Sequence, residues 1–250
     1  MIDALHGLSI LSIIVIVTGL LLAGVVKGAT GLGYASCALP FLVYAVGLKT
    51  AIPFVLVPAM ATNIAVALGN GHLMITLRGF APLYLAMLPG ISVGVWLLGT
   101  VDTKLAVIIL GVTIIVYSVF SLIRPHVMLP QTLVGALQIP VGLANGVLTG
   151  LTGSQVMPMV PYFLASSLEP KHMVQAINIG VTIASAVLLF GLLISGLAPR
   201  EVLIASILAI APALVGVELG QRLQPYIRAE ALRTAILIIL TAAGAGLILR

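Results

Sequence analysis

Lys27-Gly28-Ala29-Thr30-Gly31-Leu32-Gly33, followed by Pro40-Phe41-Leu42, breaks an otherwise apolar run near the start of this 250-residue chain. The break returns as Asn145-Gly146-Val147-Leu148-Thr149-Gly150-Leu151-Thr152-Gly153, followed by Pro161-Tyr162-Phe163. Further along, Gly94-Val95-Trp96-Leu97 is echoed by Gly216-Val217-Glu218-Leu219, and the two halves close on apolar segments ending at Arg124 and Arg250. An offset held near about 120 residues marks a duplicated unit rather than a chance motif. Paired glycine-broken hydrophobic segments at matching positions point to a transporter and to its binding site.

Composition agrees with a membrane setting. Hydrophobic residues make up 61% of the chain and charged residues 7%, against roughly 25% charged in soluble domains. No stretch between the apolar segments is long enough to fold as a separate domain. The net charge of +5 comes from basic residues scattered singly at segment ends, which is how orientation-setting loop charges look and not how a nucleic-acid patch looks. The single cysteine, Cys37, excludes an internal disulfide and a CxxC metal site, and reads as packing. Leu8 to Val26 is long enough to span and lacks a preceding Lys or Arg, so it reads as a retained first helix and not as a cleaved leader.

Charges and Gly/Pro clusters divide the chain into segments at roughly 8–26, 33–48, 51–69, 80–99, 105–123, 133–150, 155–168, 172–196, 201–220 and 231–249. The expected fold is all-α, a polytopic transmembrane helical bundle of two internal repeats with about 8–10 hydrophobic segments and one broken or short helix per repeat. Repeat 1 covers residues 1–124, a polar, proline-marked linker 125–132, and repeat 2 residues 133–250. Segments 33–48 and 155–168 fall short of the ~20 residues that a spanning helix needs, so both are expected to start inside the membrane. If every segment crosses, one side carries Lys27, Arg78, Arg124, Lys171, Arg222, Arg228 and Arg233, and the other Lys49, Lys104, Arg200 and Arg250. The positive-inside rule makes the first side cytoplasmic and puts both termini outside. An odd number of crossings per repeat inverts one repeat relative to the other; an even number would make them parallel.

Marks of enzymatic chemistry are missing: no phosphate loop, no HExxH, no GxSxG elbow, and no His beside the only Cys. His6, His72, His126 and His172 are too dispersed for a metal cluster. The positive signal is the Gly/Thr motifs. Gly31, Gly33, Gly150 and Gly153 allow sharp turns and close approach, and the helix start after each turn offers unpaired N–H groups and partial positive charge to an anion. Thr30, Ser36, Thr149, Thr152, Ser154 and Gln155 add neutral hydrogen-bonding groups. The same glycines would also serve plain helix packing. Lys27 attracts an anion or simply marks the cytoplasmic end of a first helix, with Asn145 at the matching place in the second half. Asn63 and Asn178, amides inside long apolar segments, either contact substrate or bond between helices. Glu218 and Arg222 have the spacing of an i,i+4 pair.

The duplicated Gly28-x-x-Gly31-x-Gly33 break with its Pro-hydrophobic helix, returning as the looser Gly146-x-x-x-Gly150-x-x-Gly153, resembles the sulfite exporter TauE/SafE family, also called toluene-sulfonate uptake permeases, over essentially the whole chain. The resemblance implies a permease of the cell inner membrane for sulfite, sulfoacetate, organosulfonates or related oxyanions, with about eight spanning helices. The anion is then expected between the two helix N-termini near the midplane. No cofactor and no nucleic acid is implied. The partners are a small anion and the lipid bilayer, with a proton or sodium ion if transport is coupled, and self-association stays open.

An inside-negative potential, worth ~2.3 kcal/mol per charge per 100 mV, drives a monovalent anion outward. The acids Asp3, Asp102, Glu169, Glu201, Glu218 and Glu230 lie in loops or near segment ends, so export by uniport is the expectation. Proton- or sodium-coupled uptake of a small organic acid, or a passive anion channel, is the alternative.

Overall fold

The computed structural model describes residues 9–68, 73–123, 128–226 and 229–249. Among them the chain is helix and connecting turn, with no strand. His6, His72, His126, Asp3, Arg124, Arg228, Arg250 and residues 125–127 of the expected linker lie outside the described residues.

The first half runs α1 (Ile10–Thr30), α2 (Tyr34–Val46), α3 (Leu48–Leu68), α4 (Leu73–Gly79), α5 (Ala81–Thr100) and α6 (Thr103–Ile123). The second runs α7 (Gln131–Thr152), α8 (Met159–Ala165), α9 (Pro170–Ile194), α10 (Arg200–Leu208), α11 (Ile210–Leu223) and α12 (Ala229–Ile248). Seven described runs are long and apolar enough to cross a membrane: α1, most of α3, α5, α6, most of α7, α9, and α10 with α11. The junction between α10 and α11 has a local cause, because Pro212 cannot donate to the Leu208 carbonyl and its ring crowds it. The two segments expected to be short are short. α2 has 13 residues and α8 has 7.

One boundary differs from expectation. α1 does not stop before the first glycine motif but carries it as its last turn, ending at Thr30. Small residues face a neighbouring helix there, so Gly28 is no breaker.

Two close helix pairs frame the molecule. α1 lies along α11, and α5 along α7. A Cβ on Gly24 would sit 2.5 Å from the Ala213 carbonyl oxygen, and one on Gly90 2.5 Å from that of Leu143, so only glycine lets these backbones meet. Gly94 meets Gly150, as Gly24 meets Gly216. In both pairs the contacts advance together along the two helices, so each pair is parallel. The first long helix of each half thus packs on the fifth helix of the other half. α6 packs against α12, and α3 crosses α9 at the centre.

Candidate functional site

The sequence builds the end of α1 as a cap. The Thr30 hydroxyl donates to the Val26 carbonyl at 2.8 Å and accepts from the Leu32 N–H at 3.3 Å. Gly31 then takes φ +76°, a left-handed conformation that glycine adopts freely, and its N–H closes on the Lys27 carbonyl at 2.8 Å. With Gly33 also at φ +86° the chain doubles back and starts α2 at Tyr34. Helix geometry leaves the N–H groups of Tyr34, Ala35 and Ser36 without intrahelical acceptors.

One turn before this cap stands Lys27, 1% exposed. Its ammonium donates to Asn63 Oδ1 on α3 at 2.5 Å and to Asn178 Oδ1 on α9. Both asparagines are buried as well. The Asn178 amide nitrogen donates onward to the Gly31 carbonyl at 3.0 Å and the Val174 carbonyl at 2.7 Å, which ties the α1 cap to α9. Among the described residues Lys27 has no carboxylate partner. A cation held only by neutral amides keeps its charge available, and a third N–H donor besides.

The second glycine turn copies the backbone device. The Thr152 hydroxyl donates to the Leu148 carbonyl at 2.6 Å and accepts from the Ser154 N–H at 3.1 Å, while Gly153, at φ +75°, closes on the Thr149 carbonyl at 2.8 Å. Matching the two caps pairs Lys27 with Thr149, not with Asn145 as sequence matching alone had it. Asn145 lies a turn earlier and turns its amide inward: its nitrogen donates to Thr149 Oγ1 at 3.4 Å, and its oxygen accepts the Met159 N–H at 3.3 Å. The starts of α2 and α8 both border a cavity, α2 through Tyr34, Ala35 and Ser36 and α8 through Val160, and at α8 the first N–H is taken by Asn145.

Two adjoining cavities surround the start of α2. The wide one, about 540 Å³, is mostly apolar and includes Thr30, Phe120, Met173 and Leu240 in its wall. The inner one is only about 20 Å³ and is bordered by Lys27, Tyr34, Asn63, Gln155 and Asn178. Leu32, Gly33, Ser36, Tyr117 and Val160 belong to both walls. Of the residues singled out from sequence, Lys27, Gly33, Ser36, Asn63, Gln155 and Asn178 thus meet at the inner cavity and Thr30 at the wide one. Thr149, Gly150, Thr152, Gly153 and Ser154 border neither; Gly150 packs on α5 and Gly153 on Ile52. Gly31 shapes the cap and touches Val174.

Tyr34 and Tyr117 were not anticipated. Tyr34 stands directly after Gly33 at the first position of α2, which is the signal that could have found it. Among the described residues its hydroxyl is buried without a hydrogen-bond partner, as is Gln155 Oε1, although the Gln155 amide nitrogen donates to Ser185 Oγ at 2.8 Å. Buried polar groups are normally satisfied, so orphans on the inner wall mark a place for a polar guest. Exchanging the Gln155 amide ends would let Ser185 donate to the oxygen and free the nitrogen as a donor.

Neither a curated protein nor a solved structure gives a match to this chain. The match to one protein family covers residues 15–247, nearly the full length: the chain belongs to the sulfite exporter TauE/SafE family.

Proposed function

We propose that this chain is a permease for a small sulfur oxyanion or organosulfonate, of the kind of sulfite or sulfoacetate, bound at Lys27. Family membership carries the coarser statement: a membrane transporter for a small anion, and not an enzyme. The observation that supports the finer one is Lys27 itself, buried among helices that span the membrane and free of any described carboxylate. An uncompensated charge at such depth is expensive and marks a substrate path. Lys27 on α1 and Tyr34 and Ser36 on α2, together with the N–H groups that open α2, border the inner cavity, a set of donors that suits a sulfonate's three oxygens. Asn178 stands eight residues into α9, about 12 Å along its axis, so the anion would rest towards the midplane of a ~30 Å hydrocarbon layer.

The inner cavity holds about one water, so an anion enters only if Leu32 and Val160, the apolar residues shared by both walls, move apart. That pinch favours a carrier over a continuous pore. Ser121 and Met128 flank Arg124 in sequence, and Ala165 and Met173 flank Lys171; all four border the wide cavity. The positive-inside rule then turns this cavity to the cytoplasm and both termini outward, in the cell inner membrane. Purified protein in liposomes, tested with sulfite, sulfoacetate, taurine and lactate, should show saturable flux of the sulfur anions. Saturable flux of cations alone would overturn the reading.

A further inference from the structure

Lys27 has a property that anion binding alone does not use. An ammonium carries three N–H donors and a neutral amine two. Two are engaged, by Asn63 Oδ1 and Asn178 Oδ1, and the residue borders the inner cavity. With an anion in that cavity the third donor finds an acceptor and the opposite charges cancel. With the cavity empty, a third proton would leave a net charge without a counter-ion amid spanning helices, whereas an amine keeps both asparagine bonds. Charged with an anion and neutral without one, the site has every donor satisfied and no net charge in either condition.

We propose that Lys27 is the coupling residue of the transport cycle, taking up one proton with each anion and returning it on release. This rests on the anion-permease reading above. As the anion enters, the lysine lone pair takes a proton from hydronium on that side; the hydronium O–H bond breaks, its electron pair stays on oxygen and water departs. When the anion leaves on the other side, that same N–H bond breaks, its electron pair stays on nitrogen and the proton passes to water. One anion and one proton cross together, and neither limb of the cycle moves net charge. The expectation of uniport relied on the spans lacking Asp, Glu or His; a buried lysine supplies the missing group.

Among the described residues the surroundings offer no competing site for that proton. α2 carries Tyr34 and Cys37 and α6 carries Tyr117, with no Asp, Glu or His on either helix. α3 and α9 meet Lys27 with amides, and Lys171 and His172 lie about two turns before Asn178. α11 carries Glu218 and Arg222, both exposed and bonded to each other at 2.7 Å. α12 has no titratable residue from Thr234 to Leu249.

Isethionate, a sulfonate of fixed single charge near neutral pH, is the probe, in proteoliposomes with the potential clamped at zero. A gradient of one pH unit, acidic outside, should accumulate it inside to a tenfold ratio at equilibrium. An imposed potassium-diffusion potential without a pH gradient should produce no accumulation. Lys27→Arg, permanently charged, should lose the pH-driven accumulation. Accumulation that follows the potential and ignores the pH gradient overturns the coupling while leaving the anion reading intact. A Lys27→Arg carrier that still reaches tenfold removes the role from Lys27. If no saturable isethionate flux is found at all, the sulfonate site and the coupling fall together.

Discussion

The two glycine turns share a backbone and differ in what they enclose. At Gly31 and at Gly153 a helix ends in a left-handed glycine beneath a threonine that bonds one carbonyl behind it and one N–H ahead. Both turns run into the wall of the inner cavity, the first through Lys27, Gly33 and Tyr34 and the second through Gln155 and Val156; one turn before the cap the first has Lys27 and the second has Thr149, which donates to the Ser154 carbonyl at 3.2 Å and accepts from Asn145. A duplicated backbone device therefore need not mean a duplicated site. The turn positions the side chain one helical step before the cap, and that side chain is a lysine in the first turn and a threonine in the second.

The sharpest way to break this comparison is to exchange charge for neutrality at the first turn. Lys27→Ala removes a charge-assisted donor and should cut anion flux by about 100-fold, whereas Thr149→Ala, at the matched position, should lower thermal stability and leave the apparent Km nearly unchanged. Equal losses of flux in both variants would mean that the two turns act alike.

Next in size is Asn178→Asp. A carboxylate against the Lys27 ammonium would form an internal ion pair and compete with the substrate, so the apparent Km should rise by at least about tenfold. Asn178→Ala should raise it less, since the charge stays available. Concentration dependence of flux in the two variants separates these outcomes.

Bulk at the caps comes third. Leucine at Gly153 would meet Ile52 Cγ1 at 3.0 Å and be strained at positive φ, and leucine at Gly31 would meet Val174 Cγ1 at 3.1 Å with the same strain. Each should cost roughly 1–3 kcal/mol of stability. Only Gly31→Leu, which moves the cap bonded to Asn178, should also shift substrate affinity, and detergent melting curves beside flux assays would reveal the split. The smallest effect belongs to Glu218→Gln. The Glu218–Arg222 pair is exposed and worth about 0–1 kcal/mol, so transport should be unchanged.

Much of this architecture was legible in the chain. Apolar runs bounded by charges located the spanning helices, and the short stretches before Gly47 and after Pro158 became α2 and α8. The glycine motifs located the two turns. They did not reveal that α1 continues through Lys27 to Thr30, because a glycine packed against another backbone looks the same in sequence as a glycine that ends a helix. Gly28 is of the first kind and Gly31 of the second. Lys27, Asn63 and Asn178 could each be suspected singly, as polar groups in apolar surroundings. Their meeting could not be read, since 36 and 151 residues separate the asparagines from the lysine and no local period links α1, α3 and α9. The closure of the second turn by Asn145 was equally hidden, because it depends on an amide reaching the first N–H of α8.

The central claim is that Lys27 holds a small anion, and binding in detergent tests it most directly. Melting of the wild-type protein and of Lys27→Gln should be followed across a concentration series of sulfite, sulfoacetate, lactate and chloride. The wild type should be stabilised saturably by the sulfur anions, by about 2.7 kcal/mol at a hundredfold excess over Kd, and Lys27→Gln should show no saturable shift. Equal saturable stabilisation of both proteins by the same anion would place the anion elsewhere and contradict the account.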